Sequence, residues 1–251
     1  MTSARVAIVT GAGRGIGAAT ATRLAADGAA VAVLDRDAGP AAETVDRIRA
    51  AGGTARAVVA DVGDPDQVQG ALTTVAAELG PPVILVNNAG VIRDRPMEDL
   101  SLDDWNTVVD VNLRGPFLMC QAIRPHLLEQ GWGRIVNFSS SSALGNRDQA
   151  NYSAAKAGID GLTRTLAIEL GPHGVTVNAV APGYIVTDMT KGTAERMGMD
   201  FTRLQQMVAS QTPVRRVGQP EDVANAVAFL VGENAGFVSG HTLYVTGGPM
   251  R

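Results

Sequence analysis

The sequence predicts an α/β fold, a doubly wound parallel sheet of about seven strands with helices on both faces, within a single domain spanning 1–251. Three observations carry that expectation. Short β-branched runs alternate with alanine-rich segments of helical spacing along the chain. The runs are continuously apolar, as strands covered on both faces are, rather than alternating in and out. No stretch has the composition of a linker, an internal repeat or a low-complexity tail.

Taken in order, Val6–Thr10 reads as the first strand and 15–27 as the helix that follows its glycine loop. Ala30–Leu34, a helix near 40–51 and the strand Ala57–Ala60 come next. A helix over 65–79 has Asp64 placed to cap its N-terminus and Pro65 in its first turn, where a missing N–H costs nothing. Val83–Val86 precedes one long helical segment, 101–129. Arg134–Phe138, a helix over 151–170, Val175–Val180, a helix over 220–231 and Thr242–Val245 complete the pattern. Residues 185–212 break the alternation and read as an insertion that covers the substrate. Met189, Met197, Met199 and Met207 within it suit an adaptable wall over an apolar substrate, or equally the core of a helix pair.

At 251 residues the chain can bury a large core without disulfides or metals. A net charge of −4 with no Lys/Arg run argues against nucleic acid or an anionic membrane as partner. Cys120, the one cysteine, lies in an apolar stretch and reads as a small buried hydrophobe. His126, His173 and His241 are scattered, so no metal site is expected. No apolar stretch reaches the roughly 18 residues that span a bilayer, and the N-terminus lacks a signal-peptide pattern. A cytoplasmic location is expected.

The first strand runs into Thr10-Gly11-Ala12-Gly13-Arg14-Gly15-Ile16-Gly17 and then a helix. Glycines there allow a tight turn and let backbone N–H groups approach a pyrophosphate at the positive end of a helix. In its strand–loop–helix setting this motif predicts a dinucleotide site and a Rossmann-type sheet. Asp35, eighteen residues beyond Gly17, ends the second strand, where an acid accepts bonds from the adenine ribose hydroxyls and repels a 2′-phosphate. Asp35 therefore favours NAD, while Arg14 and Arg36 leave NADP open, because either guanidinium could pair with that phosphate. Asp61-Val62 after the third strand could receive the adenine, and Asn88-Ala89-Gly90 after the fourth permits close backbone approach. These loops share the carboxyl edge of the sheet, where such ligands bind.

Tyr152 and Lys156 stand four residues apart, on one face of a helix. An ammonium beside a phenol favours the phenolate, so the tyrosine pKa is expected to fall from about 10 toward neutrality. Such a phenol serves as general acid for a ketone or as base for the reverse reaction.

With these motifs the chain resembles the short-chain dehydrogenase/reductase family, classical type, over essentially its whole length. Carrying the resemblance are the Thr10–Gly17 loop, Asn87-Asn-Ala-Gly90, Asn112 in Val-Asn-Leu-Arg-Gly, a serine after the fifth strand and Tyr152-x-x-x-Lys156. Pro182-Gly183-Tyr-Ile-Val-Thr-Asp-Met189 and Arg216-Val-Gly-Gln-Pro-Glu-Asp-Val223 add to it, and the branch it most resembles is the 3-oxoacyl-[acyl-carrier-protein] reductases. The resemblance implies an NAD(P)-dependent enzyme acting on a ketone, secondary alcohol or acyl thioester, and a homotetramer built through the helices of 101–129 and 151–170. It implies a catalytic tetrad of Asn112, Ser140, Tyr152 and Lys156, with Asn112 positioning a water and Lys156 also holding the nicotinamide ribose. Pro182, Gly183, the Ile185 main chain and the Thr187 side chain would meet the nicotinamide end. Counting forward from the strand selects Ser140, whereas counting back from Tyr152 lands on Ser139; Ser140 is taken because strand register shifts less readily than loop length. Val245-Thr-Gly-Gly248 lacks the aspartate usual in the family, and Gly131 and His173 stand where carrier-protein reductases have basic docking residues. Two alternatives remain: an NAD-dependent dehydrogenase of a sugar, polyol or other small hydroxy compound, and a non-catalytic NAD-binding sensor or scaffold.

Overall fold

A computed structural model describes residues 4–249. Seven parallel strands form one sheet in the order β3-β2-β1-β4-β5-β6-β7. They are β1 (Val6–Thr10), β2 (Ala30–Asp35), β3 (Thr54–Val59), β4 (Pro82–Asn87), β5 (Gly133–Phe138), β6 (Val175–Pro182) and β7 (Thr242–Val245). The order reverses between β1 and β4, so the carboxyl ends of these strands splay apart and open a crevice. Helix α1 (Gly15–Ala26) packs with α2 (Ala38–Ala50) and with α9 (Pro220–Val231); α3 (Pro65–Glu78) packs with α5 (Gly115–Gln130), and α4 (Leu102–Val109) with α6 (Ala150–Leu170). Between α6 and α9 lie α7 (Asp188–Arg196) and α8 (Phe201–Gln211).

The central strands are buried along their length, β1, β4, β5 and β6 without a single exposed position. Their apolar side chains, Ile8, Leu85 and Ile135 among them, form the core with Leu72, Ile123 and Leu127 from the helices. Strand β3 lies at the edge and alternates buried with open positions, which is why a search for apolar runs sees only its second half. Helix α3 starts as expected: the Asp64 carboxylate accepts from the N–H groups of Asp66 (2.9 Å) and Gln67 (3.1 Å).

Two sequence expectations change. The long segment 101–129 is not one α-helix; α4 and α5 are joined by a π-helical turn over Asp110–Arg114. Residues 185–212 form the helix pair α7 and α8, yet Met189, Met197 and Met207 are exposed and do not fill a core. Cys120 is buried, accepts from the Asn87 amide at 3.4 Å, and burial pushes its thiol up to about 12, which bears out its reading as a core side chain.

Candidate active site

A cleft of about 490 Å³ opens at the carboxyl ends of β1 to β4. Its floor is the glycine loop, with Gly11, Arg14, Gly15, Ile16 and Gly17 on the wall. Thr10, which opens that motif but was given no role in it, ties this loop to the next one. Its hydroxyl donates to Val86 C=O (3.4 Å) and accepts from the N–H groups of Asn88 (3.1 Å) and Ala89 (3.0 Å). The Asn88 side chain donates in return to the carbonyls of Thr10 (2.8 Å) and Gly11 (3.0 Å), so it pins the loop from behind. The two chains come too close for side chains: a Cβ on Gly11, whose φ is +61°, would lie 2.8 Å from Ala89 Cα. On Gly17 it would lie 2.2 Å from the Gly11 carbonyl oxygen.

Gly13 does not line the cleft. Its N–H donates to Asp35 Oδ2 at 2.8 Å, while Asp35 Oδ1 accepts from the Asp37 N–H at 3.0 Å. The Asp35 carboxylate thus faces the cleft already braced. Arg14 is paired with Asp37 at 2.8 Å, and Arg36 is exposed on the same wall. Asp61 and Val62 close the far end, Asp61 accepting from Gly63 N–H at 2.8 Å. Ala89 and Gly90 form the near side.

At the other end stand the reacting side chains. Ser140 and Ser139 face different ways. Ser140 caps the short turn Ser141–Leu144, accepting from Ser142 N–H at 3.1 Å, and stands close enough to the Tyr152 phenol to pull its pKa down. Ser139 instead donates to the Lys156 carbonyl at 3.3 Å, away from the phenol. Lys156 is buried, its ammonium donating to Phe138 C=O at 2.7 Å and lying 5.4 Å from the centroid of the Tyr152 ring.

The pKa expectation is corrected by this environment. Burial pushes the Tyr152 phenol up to about 12, against the Ser140 hydrogen bond and with the Asp94 charge adding to the rise. Burial also brings Lys156 down to about 7, with Asp160 opposing. Desolvation dominates both groups, so the phenol is held protonated and the amine titrates near neutrality.

Asn112 sits at the centre of the π turn, fully buried. The extra residue of that turn aims its side chain inward, as such bulges often do at functional sites. Its amide donates to Val91 C=O and Val108 C=O, each at 2.9 Å, and its Oδ1 is buried with no partner among the described residues. A Cβ on Gly90 would lie 2.8 Å from that oxygen and 3.8 Å from Lys156 Nζ, so both groups converge on one point above Gly90.

Pro182 ends β6, and Gly183 donates to Val245 C=O at 3.0 Å. Ile185 is turned into the core; its carbonyl is taken by Thr190 Oγ1 at 2.8 Å and its side chain fills the space beside Gly218. Thr187 caps α7 and reaches the cleft opposite Gly15, where a Cβ would touch its methyl at 3.5 Å. The glycine cradle, the braced Asp35 and the orphaned Asn112 oxygen beside Lys156 fit a dinucleotide with its adenosine at Asp35 and its nicotinamide toward Tyr152. Among the described residues no helix is long and apolar enough to cross a membrane, and no group of three His, Cys, Asp or Glu is placed to hold a metal.

Residues 11–249 match the family model described as Enoyl-(Acyl carrier protein) reductase. The chain is 49% identical to the short-chain reductase protein NovJ of Streptomyces niveus, covering 97% of this chain and 93% of that one. It is 42% identical to the 3-oxoacyl-[acyl-carrier-protein] reductase FabG of Staphylococcus aureus over 99% of both. Its fold superposes with a TM-score of 0.90 on a gluconate 5-dehydrogenase from Burkholderia cenocepacia in complex with NADP and tartrate, at 35% identity over 98% of this chain and 95% of that one.

Proposed function

The chain belongs to the short-chain dehydrogenase/reductase family and is an NAD(P)-dependent oxidoreductase that interconverts a ketone and a secondary alcohol, and we propose that Tyr152, Ser140, Lys156 and Asn112 carry that reaction on a 3-oxoacyl thioester. The observation that carries the assignment is the convergence of the Lys156 ammonium and the unpartnered Asn112 Oδ1 above Gly90, with that ammonium 5.4 Å from the centroid of the Tyr152 ring.

The bound cofactor supplies or takes the hydride. In the reducing direction Tyr152 gives its phenolic proton to the carbonyl oxygen as that oxygen gains charge. A phenol held near 12 stays protonated at neutral pH, and the alkoxide forming beside it is a far stronger base. Ser140 donates a hydrogen bond to the same oxygen and stabilises the charge building there. The phenolate left behind is stabilised by Lys156 in its ammonium form, and Asn112 Oδ1 holds a water through which that lysine exchanges protons with solvent. Gly11, Gly15, Ile16 and Gly17 with Asp35 would hold the pyrophosphate and ribose, and Gly183 and Thr187 would orient the nicotinamide.

Two features support the thioester substrate: the FabG relative, and the exposed methionines Met189, Met197 and Met207 along the α7–α8 segment, which suit an acyl chain. Asp35 in the cleft and Arg14 held by Asp37 support NAD as the preferred cofactor. Fluorescence titration with NADH and NADPH tests this; tighter NADPH binding contradicts it. Exposed Leu102 on α4, Phe117 on α5 and Ile168 on α6 support assembly into a homotetramer, which light scattering measures. The second reading, a dehydrogenase of a small hydroxy compound, is favoured by the gluconate dehydrogenase fold match. The deciding experiment follows NADH absorbance with acetoacetyl thioesters and with a panel of keto acids, sugars and polyols. Faster turnover of the thioesters is expected; turnover confined to the polyols selects the second reading, and NADH binding without turnover of any compound selects a non-catalytic sensor.

A further inference from the structure

Neither Asp94 nor Arg196 belongs to any motif above, and they lie 102 positions apart. In the fold they meet at the mouth of the site. Arg196 is the last residue of α7, the helix whose first end, at Thr187, covers Gly15 of the glycine loop. Asp94 follows β4 and stands close enough to Tyr152 for its charge to act on the phenol.

The contact between them is part of a continuous chain of polar groups. The Asn146 amide donates to Gln149 Oε1 at 2.9 Å, and the Gln149 amide donates to Asp94 Oδ1 at 3.1 Å. The Arg196 guanidinium donates to Asp94 Oδ2 at 3.4 Å and to Thr193 Oγ1 at 3.0 Å. Gln149 immediately precedes α6, three residues before Tyr152. It is aimed by a left-handed turn at Asp148 (φ +62°), whose carbonyl accepts from Arg95 N–H at 2.9 Å. A non-glycine residue in that region is strained and persists where its surroundings hold it, often at functional sites.

We propose that Asp94 and Arg196 are positioning residues that latch helix α7 over the active site, joining the lid to the segment that carries Tyr152. An exposed ion pair alone contributes little, because two long side chains must be ordered to make it. This one differs: the Asp94 side chain is only 18% exposed, and each partner is already held by a neighbour, Asp94 by Gln149 and Arg196 by Thr193. With α7 anchored by Thr187 at one end and by Arg196 at the other, a substrate binds beneath the helix, between the nicotinamide end of the cleft and the phenol. The latch sets how well a ketone is held there, without touching the reacting atoms.

The latch itself stands apart from the reaction proposed above; only its kinetic consequence rests on that reaction. Hydrogen exchange with NADH bound, followed by mass spectrometry, tests the latch in Arg196→Gln, Asp94→Asn, the double variant and Arg196→Lys. Each of the first two is expected to speed exchange across residues 188–196 about threefold to tenfold, as befits loss of one partly shielded ion pair. The double variant is expected to be no faster than either, and Arg196→Lys to restore most of the protection. In turnover, Arg196→Gln raises KM for the ketone about threefold to tenfold and leaves kcat within about twofold. Unchanged exchange in both single variants, effects that multiply in the double variant, or equal acceleration in α9 overturns the latch. Accelerated exchange with an unchanged KM overturns its role in positioning substrate. Normal latching in a protein that reduces no ketone contradicts the proposed reaction instead.

Discussion

Replacing Lys156 by methionine should make the protein more stable at neutral pH while removing its chemistry. The lysine is 3% exposed, and burial takes its pKa from 10.5 to about 7. A displacement of that size corresponds to roughly 5 kcal/mol of unfavourable folding free energy. The unfolded chain keeps the proton up to about pH 10.5, whereas the folded one releases it above about 7. The unfolded state therefore binds more protons across that window, and stability rises with pH there by up to about 1.4 kcal/mol per unit. Below pH 7 the full penalty is present. Methionine preserves the apolar stem but leaves the Phe138 carbonyl without its 2.7 Å donor, a loss of about 1–3 kcal/mol. The net expectation is a variant about 2–4 kcal/mol more stable at pH 7, with the gain shrinking toward pH 10. Urea unfolding of both proteins at half-unit steps from pH 6.5 to 9.5, at one fixed protein concentration, measures this. If the two midpoints run parallel across the range, Lys156 is not the group that desolvation holds near neutrality.

Gly17→Ala places a methyl 2.2 Å from the Gly11 carbonyl and 2.5 Å from Asn88 Nδ2, so the loop must move and NADH affinity should fall about tenfold or more. Affinity within about twofold of the original, by fluorescence titration, would show that the loop does not hold the dinucleotide. Ser140→Ala should lower kcat about 100-fold, the usual cost of losing one donor to a developing oxyanion. Ser139→Ala, which removes only a bond to the Lys156 carbonyl, should cost less than about tenfold; the opposite ranking would transfer the role to Ser139.

Much of this architecture was legible because its signals are local. Glycine spacing between a strand and a helix encodes the cradle, and an i, i+4 spacing places Tyr152 and Lys156 on one helix face. The choice of Ser140 over Ser139 rested on strand register; the Ser139 hydroxyl donates to the Lys156 carbonyl, a bond that no spacing in the sequence reveals. What escaped the sequence depends on tertiary geometry. The π turn at Asn112 is a change in hydrogen-bond pattern that leaves no mark on apolar periodicity. Gly13 was placed as a ligand contact, but its N–H braces Asp35, and Asn88, which lines the cleft, also pins the glycine loop. The bond from Thr190 Oγ1 to the Ile185 carbonyl, five residues back, also left no sign in the sequence. The Tyr152 pKa was misjudged because spacing reveals the neighbouring charge and conceals the burial that outweighs it. Asp94 and Arg196 have no signature at all, since only the fold brings together positions so far apart.

The central claim is that the Tyr152 phenol moves the proton in a hydride-transfer reaction. Stopped-flow oxidation of NADH by a reactive ketone, comparing the natural protein with Tyr152→Phe, tests it most directly. The substitution removes one hydroxyl and keeps the ring beside Lys156. NADH affinity is expected to stay within about twofold while the rate of hydride transfer falls on the order of 10³-fold, within the range for loss of a general acid. A Tyr152→Phe protein that binds NADH and transfers hydride within about tenfold of the natural rate would contradict the account.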